Sequence, residues 1–353
     1  MKCGKMILSW GLSAALTMGL SVNALADEYI VQPGDSLWKI AQEQLGNGNR
    51  WGDVYEANNG QISNPRLIYP GQLLELPEGA SEPGSLGLVG VGNARELGGY
   101  RSADGRTVRH GVLLRTAALS GATDSDLQKL REKYHLAVVA DFRMDSEVER
   151  APDPDIGGVR NLRLPIMDAE LLSERAGRMR ELLAKSEDPT DRMAQLFAAV
   201  DAGIVSDQMY VEFLMGAQGK TGYRQFFEEL LALPEGQSLL FHCTQGKDRT
   251  GVAAMLILSA LDVDEETILT DFMLTNEYNA ALIAGERRML AGRGIPEDRM
   301  DDYLMAMDQV SLKTMINALD WLRENYGSVN GYLEQELGIG ETERTALKDK
   351  FLR

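Results

Sequence analysis

The stretch Leu239-Leu240-Phe241-His242-Cys243-Thr244-Gln245-Gly246-Lys247-Asp248-Arg249-Thr250-Gly251 constrains this chain more than any other. Apolar residues run into a cysteine, an arginine follows after five intervening residues, and Thr250-Gly251 leads into an apolar run from Val252 to Leu261. The pattern predicts a buried strand, a tight loop and a helix buried on all sides. In such a loop the backbone N–H groups can turn inward beside a helix N-terminus and cradle a phosphate. Arg249 is placed to clamp two phosphate oxygens in a fork. Cys243 lies at the centre, where the amides and the guanidinium favour the thiolate, the nucleophilic form of cysteine. Thr244, Gln245, Gly246, Lys247, Asp248 and Arg249 are therefore the candidate phosphate contacts.

The N-terminus suggests a compartment. Met1-Lys2-Cys3-Gly4-Lys5 is basic, an apolar run follows from Met6 to about Val22, and Ala24-Leu25-Ala26 is a small-x-small site. That order is the pattern of a secretory leader, residues 1–26, and its run is short for a membrane span. No later segment is apolar enough to cross a bilayer. The formal charge is −17, and without the leader 34 basic residues face 53 acidic ones, a balance of −19. Such a surface repels nucleic acid, and no basic stripe offsets it. Of the two cysteines, Cys3 leaves with the leader, so Cys243 is alone in a compartment where structural disulfides are normal. A leftover thiol there is either buried and inert or reactive, and its surroundings favour reactive. His110, His135 and His242 are scattered without ligand spacing, so neither metal nor cofactor is expected. Gly246-Lys247-Asp248 lacks the Ser or Thr that follows the lysine of a nucleotide P-loop.

Residues 27–78 read as a small unit of β-α-α-β order. Glu28-Tyr29-Ile30-Val31 is a short strand, and Asp35 or Ser36 can cap a helix starting near Leu37. Gly46-Asn47-Gly48-Asn49 breaks that helix, a second runs from Trp51 to about Ala57, and Gln72-Leu73-Leu74-Glu75-Leu76-Pro77 closes as a strand. With Tyr29-Ile30-Val31-Gln32-Pro33-Gly34-Asp35-Ser36-Leu37-Trp38-Lys39-Ile40-Ala41 and Ile68-Tyr69-Pro70-Gly71-Gln72-Leu73, the unit resembles the LysM module. The resemblance implies binding of N-acetylglucosamine glycans, peptidoglycan above all, in a groove between loops 34–37 and 64–70. Gly34, Asp35, Ser36, Leu37, Ile68 and Tyr69 are the residues it assigns to that groove. The same prolines and glycines also shape turns.

Residues 79–90 are a linker by composition. From residue 91 to 353 the chain reads as one α/β domain. A hairpin is expected at Ala103-Asp104-Gly105, and a strand at Val112-Leu113-Leu114-Arg115. A helix over 123–134 is followed by a buried parallel strand over 137–143 and another strand at Asn161-Leu162-Arg163-Leu164-Pro165. Residues 169–233 are mostly helical, with breaks near Pro189 and 216–219. A helical insertion of this length can form a lid over the pocket. Amphipathic helices near 265–290, 296–325 and 341–352 finish the chain.

Four segments of this domain carry a second resemblance: Asn93-Ala94-Arg95-Glu96-Leu97-Gly98-Gly99-Tyr100, Leu114-Arg115-Thr116, Asp141-Phe142-Arg143-Met144-Asp145-Ser146-Glu147, and residues 242–251. They resemble the bacterial tyrosine and dual-specificity cysteine phosphatases of the Gly-Lys-Asp-Arg-Thr type. The resemblance implies a central, mostly parallel sheet with flanking helices. It also implies hydrolysis of phosphotyrosine, with phosphoserine, phosphothreonine or phosphoinositides accepted by some members. In this frame Cys243 attacks phosphorus, Arg249 and the loop amides hold the equatorial oxygens, and Thr250 can hydrogen-bond the sulfur. His242 packs behind the loop. The resemblance favours Asp248 as the general acid and base, with Asp141 assisting. Asp141 is equally readable as the partner of a nearby arginine, and Asp168 is a weaker third candidate. Lys247 resembles the lysine of phosphatases that take highly charged head groups, and otherwise reads as a solvated side chain. Arg115 and Arg143 fit either a positive pocket or buried ion pairs.

Together these features predict an exported phosphatase, periplasmic, extracellular or wall-bound. It would act on a phosphorylated protein or phospholipid and span no membrane after leader cleavage. Two other readings share parts of the pattern: a phytase-like inositol-polyphosphate phosphatase, which Asp248 argues against, and a peptidoglycan-binding protein with an inactive scaffold.

Overall fold

The middle strands of the chain are apolar runs, and the alternation of side chains across a strand sorts their residues onto two cores. The computed structural model describes residues 28–32, 34–44, 51–62, 64–65, 67–77, 84–184 and 191–353. The expected leader, the helix break at 46–49, Pro33, Pro189 and linker residues 79–83 lie outside them.

The N-terminal unit folds as β1 (Glu28–Ile30), α1 (Leu37–Gln44), α2 (Trp51–Ala57) and β2 (Leu73–Glu75), with β1 and β2 antiparallel. Val31, Leu37, Ile40, Ala41, Val54 and Leu74 form its core. The buried Asn58 side chain bonds both the carbonyl and the N–H of Glu75 and so ties α2 to the closing strand.

The second unit is built on five strands: β3 (Arg95–Glu96), β4 (Leu113–Thr116), β5 (Leu136–Asp141), β6 (Arg160–Arg163) and β7 (Ser238–His242). Their order is β3-β4-β7-β5-β6, with β3 antiparallel to β4 and every other pairing parallel. This is the mixed, mostly parallel α/β sheet that the sequence implied. Leu113, Val138, Ala140, Leu239 and Phe241 face one core, while Leu114, Val139 and Leu240 face the other. The first core receives α9 (Asp248–Ala260), in which every residue from Arg249 to Leu258 is buried. The second receives α3 (Asp124–Glu132), which starts in a capping box between Thr123 and Asp126. Residues 84–90 lie against this second core rather than hanging free: Leu86 is buried, and the N–H groups of Val89 and Gly90 donate to Asp126.

The helical stretch after β6 divides in two. α7 (Met209–Met215) and α8 (Ala217–Ala232) supply Tyr210, Phe213, Tyr223 and Phe226 to the main core. Only α5 (Ala169–Leu183) and α6 (Arg192–Asp201) stand outside it, and Phe197 and Val200 of α6 pack on a satellite cluster formed by α11 (Ala280–Gly292) and α12 (Glu297–Met305). The span 265–290, read as one helix, is α10 (Glu265–Tyr278) and α11, broken at Asn279. The span 296–325 is α12 and α13 (Leu312–Tyr326), separated by a loop over 306–311. The break at Asn279 follows from its side chain, which donates to the carbonyl of Asp308 and so serves the later loop. Then α14 (Val329–Leu337) and α15 (Glu341–Phe351) close the chain. No helix among the described residues is long and apolar enough to cross a membrane.

Candidate active site

Thr116, Asp141 and His242 sit side by side where β4, β5 and β7 end, because Thr116 and Asp141 both pair in register with His242. The chain leaves the sheet there, at the carboxyl ends of parallel strands, where α/β proteins place their ligands. Cys243 is the first residue past β7, and its side chain is almost wholly buried.

Four successive carbonyls of the loop are tied outward. Cys243 O lies 3.1 Å from His242 Nδ1, an arrangement that calls for the Nδ1–H tautomer. Thr244 O accepts from the N–H of Ala118 at 3.0 Å. The Asn93 amide donates to Gln245 O at 3.3 Å and to Gly246 O at 3.0 Å, and Arg115 also donates to Gly246 O at 3.0 Å. A trans peptide holds its N–H opposite its carbonyl, so the N–H groups of residues 244–247 face inward. Gly246 has φ +66°, and a Cβ there would come within 2.3 Å of Thr116 O, so the loop passes close only because this residue is glycine.

A buried ion cluster holds those anchors. Arg115 donates to Asp271 at 2.6 Å, Arg95 to the other oxygen of Asp271 at 3.1 Å, and Tyr100 to the same carboxylate at 3.1 Å. Arg95 also donates to Asn93 Oδ1, which orients the Asn93 amide toward the loop. Of the two readings left open for Arg115, the buried ion-pair partner is the one realised. Arg143 follows suit. Its guanidinium donates to both oxygens of Asp141 at 2.9 Å and to Asp153 at 2.7 Å. Asp141, Asp153 and His242 could together face a metal ion, but Arg143 already provides the positive charge between the two carboxylates.

Arg249 is clamped by a residue that sequence reasoning left without a role. Glu147 of α4 (Asp145–Arg150) accepts from both terminal nitrogens of Arg249, at 2.6 and 2.8 Å, and from the Thr244 hydroxyl. Burial alone would raise the Glu147 carboxyl, but the Arg249 guanidinium outweighs it and brings it down to about 2. Burial likewise opposes the Arg249 charge, and Glu147, Cys243 and Asp248 hold it above its ordinary value. A signal for Glu147 existed: it lies in the first turn of a short helix after a strand that ends at the site.

The three candidate acids separate. Asp248 Oδ1 accepts from the buried Tyr210 hydroxyl at 2.8 Å, and its side chain keeps partial exposure beside the loop. Asp141 is buried, and its carboxylate is engaged by Arg143, with Arg163 3.6 Å away. Asp168 accepts from the N–H of Gln218 at 2.9 Å and serves the start of α8. Lys247 is neither a head-group reader nor a solvated side chain. It is buried, and its ammonium donates to Met305 O at 2.8 Å and Gln309 O at 3.2 Å. Gln245 bonds Met307 O and Asp308 at 2.9 Å, so two loop side chains fasten the segment between α12 and α13. The Thr250 hydroxyl is buried and makes no hydrogen bond, so the expected contact with the Cys243 sulfur is not made in this state.

A model of the tyrosine phosphatase family matches residues 86–353, and one of the LysM domain matches residues 29–77. The chain belongs to the tyrosine phosphatase family. This phosphatase is 31% identical over 270 residues, 75% of its chain and 89% of the other's, to a Cupriavidus necator protein named as a candidate tyrosine-protein phosphatase. It is 28% identical over 274 residues, 72% of its chain and 94% of the other's, to the triple specificity protein phosphatase PtpB of Mycobacterium tuberculosis. The phosphatase's LysM part is 45% identical over 53 residues, 15% of its chain and 23% of the other's, to the resuscitation-promoting factor Rpf of Micrococcus luteus.

The residues assigned to the LysM groove divide by exposure. Gly34, Ser36 and Tyr69 are open to solvent. Leu37 belongs to the core and Ile68 packs against it. Asp35 turns inward to accept from Tyr29 at 2.8 Å and from the N–H of Gln32 at 2.7 Å. Trp38, the second residue of α1, is exposed and was not assigned to the groove.

Proposed function

We propose that this phosphatase is an exported enzyme that hydrolyses phosphate monoesters, phosphotyrosine foremost, through a phosphocysteine intermediate, and that its LysM domain holds it to peptidoglycan. The observation that carries the reading is that four successive carbonyls from Cys243 to Gly246 are bonded outward, which turns the following N–H groups the other way, with Arg249 held beside the loop by Glu147. In the first step the Cys243 thiolate forms a bond to phosphorus, the bond from phosphorus to the ester oxygen breaks, and Asp248 gives that oxygen its proton. In the second, the Asp248 carboxylate takes a proton from water and the resulting hydroxide attacks phosphorus. The sulfur–phosphorus bond then breaks, releasing inorganic phosphate and restoring the thiolate. The inward amides and Arg249 neutralise the charge on the transferring group in both steps. The unpartnered Thr250 hydroxyl is available to the departing sulfur in the second.

The leader pattern and the likeness of the LysM part to Rpf support export and wall attachment. The experiment is turnover by the chain starting at residue 27 on p-nitrophenyl phosphate, a phosphotyrosine peptide, a phosphoinositide and phytate, with Cys243→Ser as control. The expected result is turnover of the first two, abolished in the variant and trapped as phosphocysteine on rapid acid quench. No turnover of any ester would leave the scaffold reading standing.

A further inference from the structure

The atom that protonates the leaving oxygen decides where the rest of the leaving group must lie. Asp248 borders an open cavity of about 520 Å³ lined by α6, α7, α12 and the start of α13. Its apolar lining, including Val200, Val205, Met209 and Val310, suits an aromatic or aliphatic stem. Its charged lining is one-sided. Besides Asp248 it carries Asp201, Asp207, Asp301 and Asp302, against Arg299 and Lys313 as the basic residues. Both bases are engaged: Arg299 donates to Asp201 at 2.7 Å and to Asp302 at 3.1 Å, and Lys313 lies 2.6 Å from Asp207. Lys247, the cation of the loop that borders this wall, is committed to two backbone carbonyls. An anion entering here would meet carboxylates and no cation free to receive it. The chain's net charge of −17 opposes it from farther away.

Resting on the role given to Asp248 above, we infer that this cavity selects leaving groups flanked by positive charge: phosphotyrosine within a Lys- or Arg-rich peptide, in preference to acidic phosphopeptides or polyanionic inositol phosphates. Selection arises in two ways. Lysines beside the phosphotyrosine meet carboxylates that are only partly neutralised, and acidic neighbours are repelled by the same groups. The doubly charged phosphate itself is received elsewhere, by the loop amides and Arg249.

The test compares kcat/KM for two phosphotyrosine peptides of equal length, one flanked by lysines and one by glutamates, with p-nitrophenyl phosphate as a reference for the chemistry. The lysine peptide is expected to lead by about tenfold at low salt, and the ratio is expected to shrink as the Debye length falls from ~10 Å toward ~3 Å in molar salt. Asp301→Asn combined with Asp302→Asn is expected to reduce the ratio. Lys313→Met, at a side chain 74% exposed, is expected to increase it. Because the ratio is taken within one protein preparation, a general loss of folded enzyme does not move it. Equal rates or a lead for the glutamate peptide, with p-nitrophenyl phosphate turned over normally, would overturn the inference. A lysine preference untouched by both variants would overturn its assignment to this cavity. If p-nitrophenyl phosphate itself is not hydrolysed, the phosphatase reading fails first and this one falls with it.

Discussion

The loop from Cys243 to Arg249 and the cavity beside Asp248 adjoin, with Lys247 and Gln245 reaching from one to the other, but their ion pairs lie at different depths. The loop hangs on fully buried groups: Asn93 and Arg115 grip Gly246, Asp271 grips Arg115, and Arg95 grips both Asp271 and Asn93. The cavity wall packs on the apolar cluster of Leu290, Met300, Tyr303 and Leu304, and its ion pairs lie near solvent: Arg299 with Asp201 and Asp302 and Arg287 with Glu297 and Asp301, each at least a third exposed on both sides. Breaking a buried pair strands a charge in a poor solvent and costs several kcal/mol, whereas an exposed pair contributes roughly 0–1 kcal/mol. The loop after Cys243 is thus rigid and intolerant of change. The cavity rim can be altered at little cost in stability, so substitutions there can test specificity without unfolding the protein.

The sharpest way to break this contrast is Asp271→Ala. It leaves Arg95 and Arg115 buried without their shared carboxylate, and a loss of about 3–5 kcal/mol in urea unfolding is expected. A loss under 1 kcal/mol would mean the loop scaffold is no stiffer than the wall.

Next comes Glu147→Gln, which keeps the shape but removes the charge that clamps Arg249. A fall in kcat/KM of about 10–100-fold is expected, corresponding to ~1.4–2.7 kcal/mol. The wild-type pair also sets an acid limit. Glu147 titrates at about 2 in the fold against an ordinary 4.5, so its contribution to stability is complete above pH 4.5 and disappears as pH falls toward 2. Acid unfolding of wild type and Glu147→Gln should therefore converge over that window, and parallel curves would contradict the clamp.

Tyr210→Phe removes the hydroxyl that holds Asp248 and is expected to cost about 2–10-fold in kcat, in line with ~0.5–1.5 kcal/mol for one hydrogen bond. If the tyrosine positions the acid, the basic limb of the pH–rate profile should shift with little change in KM. If it only fills space, the profile should keep its shape. The smallest effect belongs to the wall: Arg287→Ala should change unfolding free energy by less than about 1 kcal/mol. A larger loss would place the wall in the same class as the loop.

A last pair joins the two units and depends on pH in the opposite sense. His110 lies 3.1 Å from Glu96 and 3.3 Å from Asp53 of the LysM domain. Burial works against its charge, but Glu96 and then Asp53 outweigh burial and hold it above 6.5. This contact is complete below pH 6.5 and weakens as pH rises through that higher value.

Much of the fold could be read locally. The apolar run before Cys243, the all-apolar helix after it and the β-α-α-β order of residues 28–77 follow from patterns only a few residues long, and such patterns dictate local structure directly. The helix breaks at Asn279 and over 306–311 were not visible in that way, because the side chains bonded there, Asn279 to Asp308 O and Lys247 to Met305 O, join positions far apart in the chain. The same holds for the site. Cys243, Arg249 and Asp248 declare themselves within one short run. The grip of Glu147 on Arg249 spans 102 positions, and that of Tyr210 on Asp248 spans 38.

By itself, the amino-acid order determined that Cys243, Asp248 and Arg249 share one short loop between a buried strand and a buried helix, because that run is a local pattern. Only the tertiary structure decided the fate of charges whose type was known but whose partners were not. Asp141 went to Arg143, Lys247 to two carbonyls of the 305–309 segment, and Arg115 to Asp271 and the loop. A charged side chain is long and flexible, and its energy depends on what surrounds its tip. Burial and partner geometry therefore settle its role, and both arise only when distant segments pack together.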